Sequence, residues 1–216
     1  MTGIKFCGLQ SKKDVENAVA AGATALGFVF ATSKRQVAPE AVNEWLASVH
    51  LLEQKTVAVF VDPDATEIKT MLEKVSVDVL QFHGDESPEF LREIKKSTGK
   101  QVIKAFRHQK KTLDLFSAFA PVADGFIVDA GTKIQKGGTG KRFDWRAVPV
   151  YVHFARQLHR PLWIAGGVSP ENVPELLSFQ PDGIDVSSGI ETEQQKDRNK
   201  METITKQVRE DGYVVS

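Results

Sequence analysis

The chain has 216 residues, 28 Lys and Arg against 28 Asp and Glu, and 41% hydrophobic residues, which gives room for one domain with a sizeable core and argues against disorder. Zero net charge lacks the basic footprint of a nucleic-acid binder, and no apolar run approaches the ~20 residues that span a bilayer. The single cysteine excludes an intramolecular disulfide framework and fits a reducing compartment.

The N-terminus enters a strand candidate at once and has no signal-peptide hydrophobic region. The expectation is therefore a cytoplasmic protein, one domain over residues 1–216, with neither nucleic acid nor membrane as partner. The basic run His108-Gln109-Lys110-Lys111 reads as solvated loop surface.

Short apolar runs alternate with longer segments of helical period along the whole chain. The strand candidates are residues 4–7, 25–30, 56–61, 78–82, 102–106, 125–129, 162–165 and 184–186. Helix starts lie between them. Ser11 with Asp14 is a variant of the capping box, and Pro39 after Ala38 sits in a first turn. Asp64 caps a third helix, and Ser87-Pro88-Glu89 opens a fourth. Strands alternating with helices imply parallel pairing through βαβ crossovers. An open doubly wound sheet and a closed barrel both satisfy that pattern. No Gly-x-Gly-x-x-Gly follows the first strand, and the unit repeats through eight strand candidates, so the expected fold is an α/β (β/α)8 TIM barrel.

Two segments near the C-terminal end are the most informative. Leu162-Trp163-Ile164-Ala165 runs into Gly166-Gly167, and Gly183-Ile184-Asp185-Val186 runs into Ser187-Ser188-Gly189. Each is a buried-strand pattern ending in residues that bring backbone N–H groups close to an anion. In a barrel the ends of strands seven and eight form a phosphate cup. The other strand ends then fall on the same rim. Strand one ends at Cys7-Gly8, strand two leads into Ser33-Lys34-Arg35, strand four ends at His83-Gly84, and strand six ends at Asp129.

Each of these has a plain structural alternative: a buried small hydrophobe for Cys7, a solvated loop residue for Arg35, a satisfied histidine for His83, and a loop cap for Asp129. Lys5 lies two residues before Cys7, so both share one strand face, inward or outward. If inward, the ammonium favours the thiolate and makes Cys7 a better base. Barrel closure brings strand eight against strand one and makes Asp185 the candidate partner of Lys5. Asp129, under the long Gly/Lys-rich loop 130–142, is a candidate proton donor with a raised pKa. Arg35 offers a planar two-pronged donor to a carboxylate.

Other motifs lead nowhere. Gly137-Gly138-Thr139-Gly140-Lys141 resembles part of a P-loop, but Arg142 stands where Ser or Thr must hold magnesium. No His, Cys or carboxylate spacing resembles a zinc site, so no metal or cofactor is expected. A Cys–His protease pairing of Cys7 with His83 fits poorly beside a phosphate cup.

Taken in order, the segments resemble the phosphoribosylanthranilate isomerase family over nearly the whole chain. The resemblance is carried by Lys5-Phe6-Cys7-Gly8, Gly27-Phe28-Val29-Phe30 leading to Ser33-Lys34-Arg35, and Gln81-Phe82-His83-Gly84. Val128-Asp129, Gly137-Gly138-Thr139-Gly140, Phe143-Asp144-Trp145, the stretch from Ala165 to Val173 and the stretch from Asp185 to Glu191 complete it. Phe6 departs from an expected Ile, and Gln195-Lys196-Asp197 lacks a Gly expected before Lys-Asp, which leaves the entry to the last helix open.

The resemblance implies an Amadori rearrangement of N-(5'-phosphoribosyl)anthranilate in tryptophan biosynthesis, with Asp129 as acid and Cys7 as base. It implies that Arg35 holds the anthranilate carboxylate, that Gly166, Gly167, Ser188 and Gly189 hold the phosphate, and that His83 and Asp185 lie against the substrate. The expected partner is a small phosphosugar, and the oligomeric state, monomer or homodimer, stays open. Indole-glycerol-phosphate synthase, a metal-using sugar-phosphate epimerase and a non-catalytic phospho-ligand sensor are rival readings. Strand one starts too early for the first, no paired ligand set serves the second, and Cys7 and Asp129 are both retained against the third.

Overall fold

The computed structural model describes residues 2–130 and 142–211. Eight strands, β1 (Gly3–Cys7), β2 (Ala25–Val29), β3 (Lys55–Phe60), β4 (Val79–Phe82), β5 (Gln101–Arg107), β6 (Gly125–Asp129), β7 (Leu162–Ile164) and β8 (Gly183–Val186), form a closed parallel barrel. Helices α1 (Lys12–Ala20), α2 (Pro39–Ser48), α3 (Ala65–Lys74), α4 (Pro88–Thr98), α5 (Thr112–Phe119), α6 (Val148–Gln157), α7 (Val173–Leu177) and α8 (Arg198–Asp211) follow the strands in turn. This is the (β/α)8 barrel expected from the sequence. A short antiparallel hairpin, β9 (Glu191–Thr192) and β10 (Gln195–Lys196), lies between β8 and α8. No helix among the described residues is long and apolar enough to cross a membrane.

The period of two along each strand sorts the side chains. Even-numbered residues such as Phe6, Leu26, Phe28, Leu80, Phe82, Phe126 and Ile184 pack outward against the helices in one continuous core. Each fully buried Leu or Phe there contributes about 1.5–3 kcal/mol. Odd-numbered residues fill the barrel: Cys7, Ala25, Val57, Val59 and Val79 form one inner cluster, and Ala105, Ile127 and Ala165 another. Trp163 borders both, its indole lying where any side chain at Gly183 would have to go.

The helix starts behave largely as the sequence suggests. Asp64 and Glu67 make a complete capping box, and Ser87 Oγ accepts from the Phe90 N–H at 3.2 Å. Ser11 Oγ accepts from the Asp14 N–H at 3.1 Å, but the Asp14 carboxylate accepts from Gln10 at 2.8 Å, so the reciprocal half of the box is displaced by one residue. Asp78, placed within the fourth strand by its apolar context, instead precedes β4. Its carboxylate accepts from the backbone N–H and the hydroxyl of Thr56, each at 2.8 Å. Asp124 and Asp182 bracket β5 and β7 in the same way, accepting from Val102 and Leu162. These carboxylates fasten the amino-terminal end of the barrel, away from the rim where the chemistry gathers.

Candidate active site

Lys5 and Cys7 point into the barrel: a Cβ on Gly27 of β2 would collide with both Cys7 Sγ and the Lys5 stem. The register pairs Lys5 with Asp185 of β8, as closure requires, and the ammonium donates to Asp185 Oδ2 at 2.9 Å and to Gln81 Oε1 at 2.5 Å. Both ion-pair partners are buried. Asp185 Oδ1 is also buried and has no hydrogen-bond partner among the described residues.

Lys5 favours the Cys7 thiolate, as expected of an inward ammonium, but burial acts against it. Burial drives the Cys7 thiol above its ordinary value, Asp185 adds to the rise, and the opposing pull of Lys5 and Lys196 does not overcome them. The ammonium therefore moderates the thiol without making it a ready thiolate. Lys5 is depressed by burial but raised further by Asp185 and Cys7, so it stays charged.

Arg35 is not the surface-loop residue its context suggests; it is only 6% exposed. Its stem crosses bare Gly8, where a Cβ would overlap the Arg35 side chain. Its guanidinium is forked onto Glu191, Nε to Oε1 at 2.7 Å and Nη2 to Oε2 at 2.9 Å. Glu191 Oε1 also accepts from Lys196 Nζ at 2.9 Å, and the same ammonium donates to the carbonyls of Cys7 at 2.8 Å and Ser187 at 2.9 Å. Glu191 is raised by burial but lowered by more through Arg35 and Lys196, so it is a carboxylate in this cluster.

On the far side of the mouth, His83 Nε2 stands 3.3 Å from Asp129 Oδ2 without the alignment of a hydrogen bond. Asp129 is buried at the end of β6, against Gly166, where a Cβ would overlap the Asp129 carboxylate and the Ala130 backbone. His83 rides on a loop held from below by the buried Lys104–Glu86 pair at 3.0 Å, with Lys104 also donating to the Gly84 carbonyl at 2.8 Å.

The two glycine-bearing strand ends converge as expected. Gly166 and Gly167 both take positive φ, 84° and 72°, a turn that L side chains resist. Asn172 pins it, Oδ1 accepting from Ser169 N at 2.9 Å and Nδ2 donating to the Gly167 carbonyl at 2.8 Å. The short 3-10 turn Ser188–Ile190 after β8 abuts this loop so closely that a Cβ on Gly189 would overlap the Val168 carbonyl. The Ser188–Ile190 turn and the loop that follows Gly166-Gly167 thus abut at the carboxyl ends of β8 and β7.

The loop 131–141, including Gly137-Gly138-Thr139-Gly140, lies outside the described residues. The structure adds Gln81, Glu191 and Lys196 as neighbours of the site. Their signal in the sequence was only their place in recognised stretches, since none has a chemistry-specific spacing. His108 also stands apart from the solvated run assigned to it: it stacks on Phe143 with centroids 4.6 Å apart, and its Nδ1 lies 2.9 Å from the Tyr151 hydroxyl.

A closed eight-stranded barrel with thiol, imidazole, guanidinium and carboxylates gathered at the carboxyl ends of its strands is the layout of a (β/α)8-barrel enzyme. Comparison with known proteins narrows the class. The family model for N-(5'-phosphoribosyl)anthranilate (PRA) isomerase matches residues 4–207. The chain is 43% identical over 210 residues to N-(5'-phosphoribosyl)anthranilate isomerase of Geobacillus thermodenitrificans, covering 97% of this chain and 95% of that one. Among solved structures, phosphoribosyl anthranilate isomerase of Thermus thermophilus superposes with a TM-score of 0.83 at 29% identity, covering 97% and 99% of the two chains. A phosphoribosyl anthranilate isomerase in complex with reduced 1-(o-carboxyphenylamino)-1-deoxyribulose 5-phosphate superposes with a TM-score of 0.79 at 27% identity, covering 97% and 100%. The chain belongs to the phosphoribosylanthranilate isomerase family and is an isomerase of tryptophan biosynthesis.

Proposed function

We propose that the chain converts N-(5'-phosphoribosyl)anthranilate to 1-(2-carboxyphenylamino)-1-deoxyribulose 5-phosphate by general acid–base catalysis between Asp129 and Cys7. One observation carries this reading: β8 and β7 separate β1 from β6 around the barrel, so the strand ends that lead into Gly166-Gly167 and Ser188-Gly189 lie between those that carry the thiol and the carboxyl.

Asp129 protonates the furanose ring oxygen, the C1–O bond breaks, and the anilino nitrogen lone pair forms an iminium with C1. That cation acidifies the C2 proton, so a base of modest strength suffices and the scheme needs no metal. Cys7 as thiolate takes the C2 proton, the C–H electrons form the enolamine, and its tautomerisation gives the C2 ketone. An iminium beside the sulfur also favours the thiolate over the thiol, offsetting the burial that raises it.

The backbones of Gly166, Gly167, Ser188 and Gly189 hold the phosphate, and the free edge of the Arg35 guanidinium takes the anthranilate carboxylate. His83 lies against Asp129 at the sugar, and the unpartnered Asp185 Oδ1 accepts from a sugar hydroxyl. Fixing both ends of the substrate presents the sugar to acid and base together, where orientation supplies much of the rate. A lone thiol serving as base fits a reducing cytoplasm.

Cys7→Ala and Asp129→Ala test the reading. Each should cut kcat about 100-fold or more while the reduced product analogue still binds. Near-parental turnover in either variant contradicts the role given to that residue.

A further inference from the structure

The hairpin β9–β10 has no part in the scheme above, yet its two ends reach the groups that the scheme uses. Its register pairs Glu191 with Lys196, and their side chains meet at 2.9 Å while both are nearly excluded from water. Lys196 donates to two main-chain carbonyls that end different strands, Cys7 on β1 and Ser187 beyond β8. Glu191 fills one edge of the Arg35 guanidinium and leaves the Nη1 side for another carboxylate. Arg35 and Lys196 against Glu191 leave one net positive charge in the cluster.

We propose that Lys196 and Glu191 are positioning residues, which set the Cys7 main chain and the offered edge of Arg35 as one unit, so that seating the substrate carboxylate and aligning the base are coupled. Buried ammonium groups are costly unless fully partnered, and Lys196 satisfies its three donors on Cys7, Ser187 and Glu191. If it served only to close the hairpin, the Glu191 contact alone would be enough. The carbonyl of Cys7 lies on the residue whose side chain must meet C2, so a shift there moves the sulfur as well. The charged groups that face the thiol are Lys5, Asp185 and Lys196, of which only Lys196 belongs to the hairpin.

The inference rests on the roles proposed for Cys7 and Arg35, and the test keeps the two apart. Lys196→Met and Glu191→Gln are assayed as full chains for kcat and KM, with iodoacetamide alkylation of the thiol followed across pH. The chain has one cysteine, so alkylation reports Cys7 alone. Lys196→Met should move the alkylation midpoint to higher pH through loss of the nearby charge and lower kcat about 10- to 100-fold, a loss that persists above the new midpoint, where a lysine acting on the thiol by charge alone would leave kcat parental. Glu191→Gln should raise KM several-fold and, by uncovering the positive charge of Arg35 and Lys196, move the midpoint to lower pH. Parental kcat and an unmoved midpoint in Lys196→Met overturn the inference. If that variant does not fold, Glu191→Gln decides: parental KM and midpoint overturn it, and the expected changes support it. Cys7→Ala and Arg35→Met are run alongside. If these keep parental kinetics, the acid–base reading itself falls; if they are impaired while Lys196→Met and Glu191→Gln behave as parent, only the coupling falls.

Discussion

Arg35 and Glu191, 156 residues apart in sequence, meet fork to fork at 2.7 and 2.9 Å beneath the barrel mouth. The guanidinium is therefore held in a fixed plane before any substrate arrives, and binding need not order it. A preset donor array of this kind loses less side-chain entropy on binding than a mobile surface arginine.

Arg35→Met should accordingly act on binding more than on chemistry. The aliphatic stem still covers Gly8, while the carboxylate loses its donors. Steady-state kinetics should show a raised KM with a smaller change in kcat. Unchanged values of both would remove Arg35 from the site.

The base should govern the ascending limb of the pH profile. Only the thiolate removes a proton, and its fraction grows as pH rises through the thiol pKa. Burial holds that pKa above the ordinary cysteine value, against Lys5 and Lys196. The limb of kcat/KM should therefore lie above the range of an exposed thiol. Lys5→Met removes the largest opposing charge and should move it higher still. A limb that stays in place in Lys5→Met would show that the ammonium does not act on the base.

The cup depends on one close approach. Gly189→Ala places a methyl on the Val168 carbonyl and must push the Ser188–Ile190 turn away from Gly166-Gly167. Inhibition by inorganic phosphate measures the consequence: its inhibition constant should rise about tenfold or more, because displaced backbone donors lose their aim. An unchanged constant would locate the phosphate elsewhere.

The hairpin turn carries strain that a substitution can relieve. Glu193 and Gln194 both take positive φ, 51° and 65°, the conformation in which Asn and Gly are strongly preferred. Gln194→Gly should raise stability by about 1 kcal/mol, read as a higher Tm, with kcat unchanged. A lowered Tm would mean that the Gln side chain contributes more than its backbone costs.

The barrel was legible in the sequence because the strands are short and buried and several of the helices between them open on a side-chain cap, so that period and punctuation agree. Lys5 and Cys7 could be put on one face from the period of two, and closure then supplied Asp185. The same sequence leaves Arg35 looking solvated, because its burial comes from Glu191 and Lys196, over 150 positions away. Cys7 shows the other limit. Its charged neighbours can be read from spacing, but the desolvation that outweighs them belongs to the closed barrel. Asp197 resolves the entry to the last helix: its carboxylate accepts from the Asn199 N–H at 2.9 Å and from the Thr192 hydroxyl at 2.7 Å, so a local cap supplies the start.

The division of labour between Asp129 and Cys7 is tested most directly with substrate deuterated at C2 of the sugar. In Cys7→Ser, turnover should fall by about 100-fold or more and the deuterium isotope effect on kcat should increase, because C–H cleavage then limits the rate. In Asp129→Asn turnover should fall comparably while the isotope effect shrinks toward unity, because ring opening limits instead. Isotope effects that change alike in the two variants, or turnover that survives in either, would contradict the assignment.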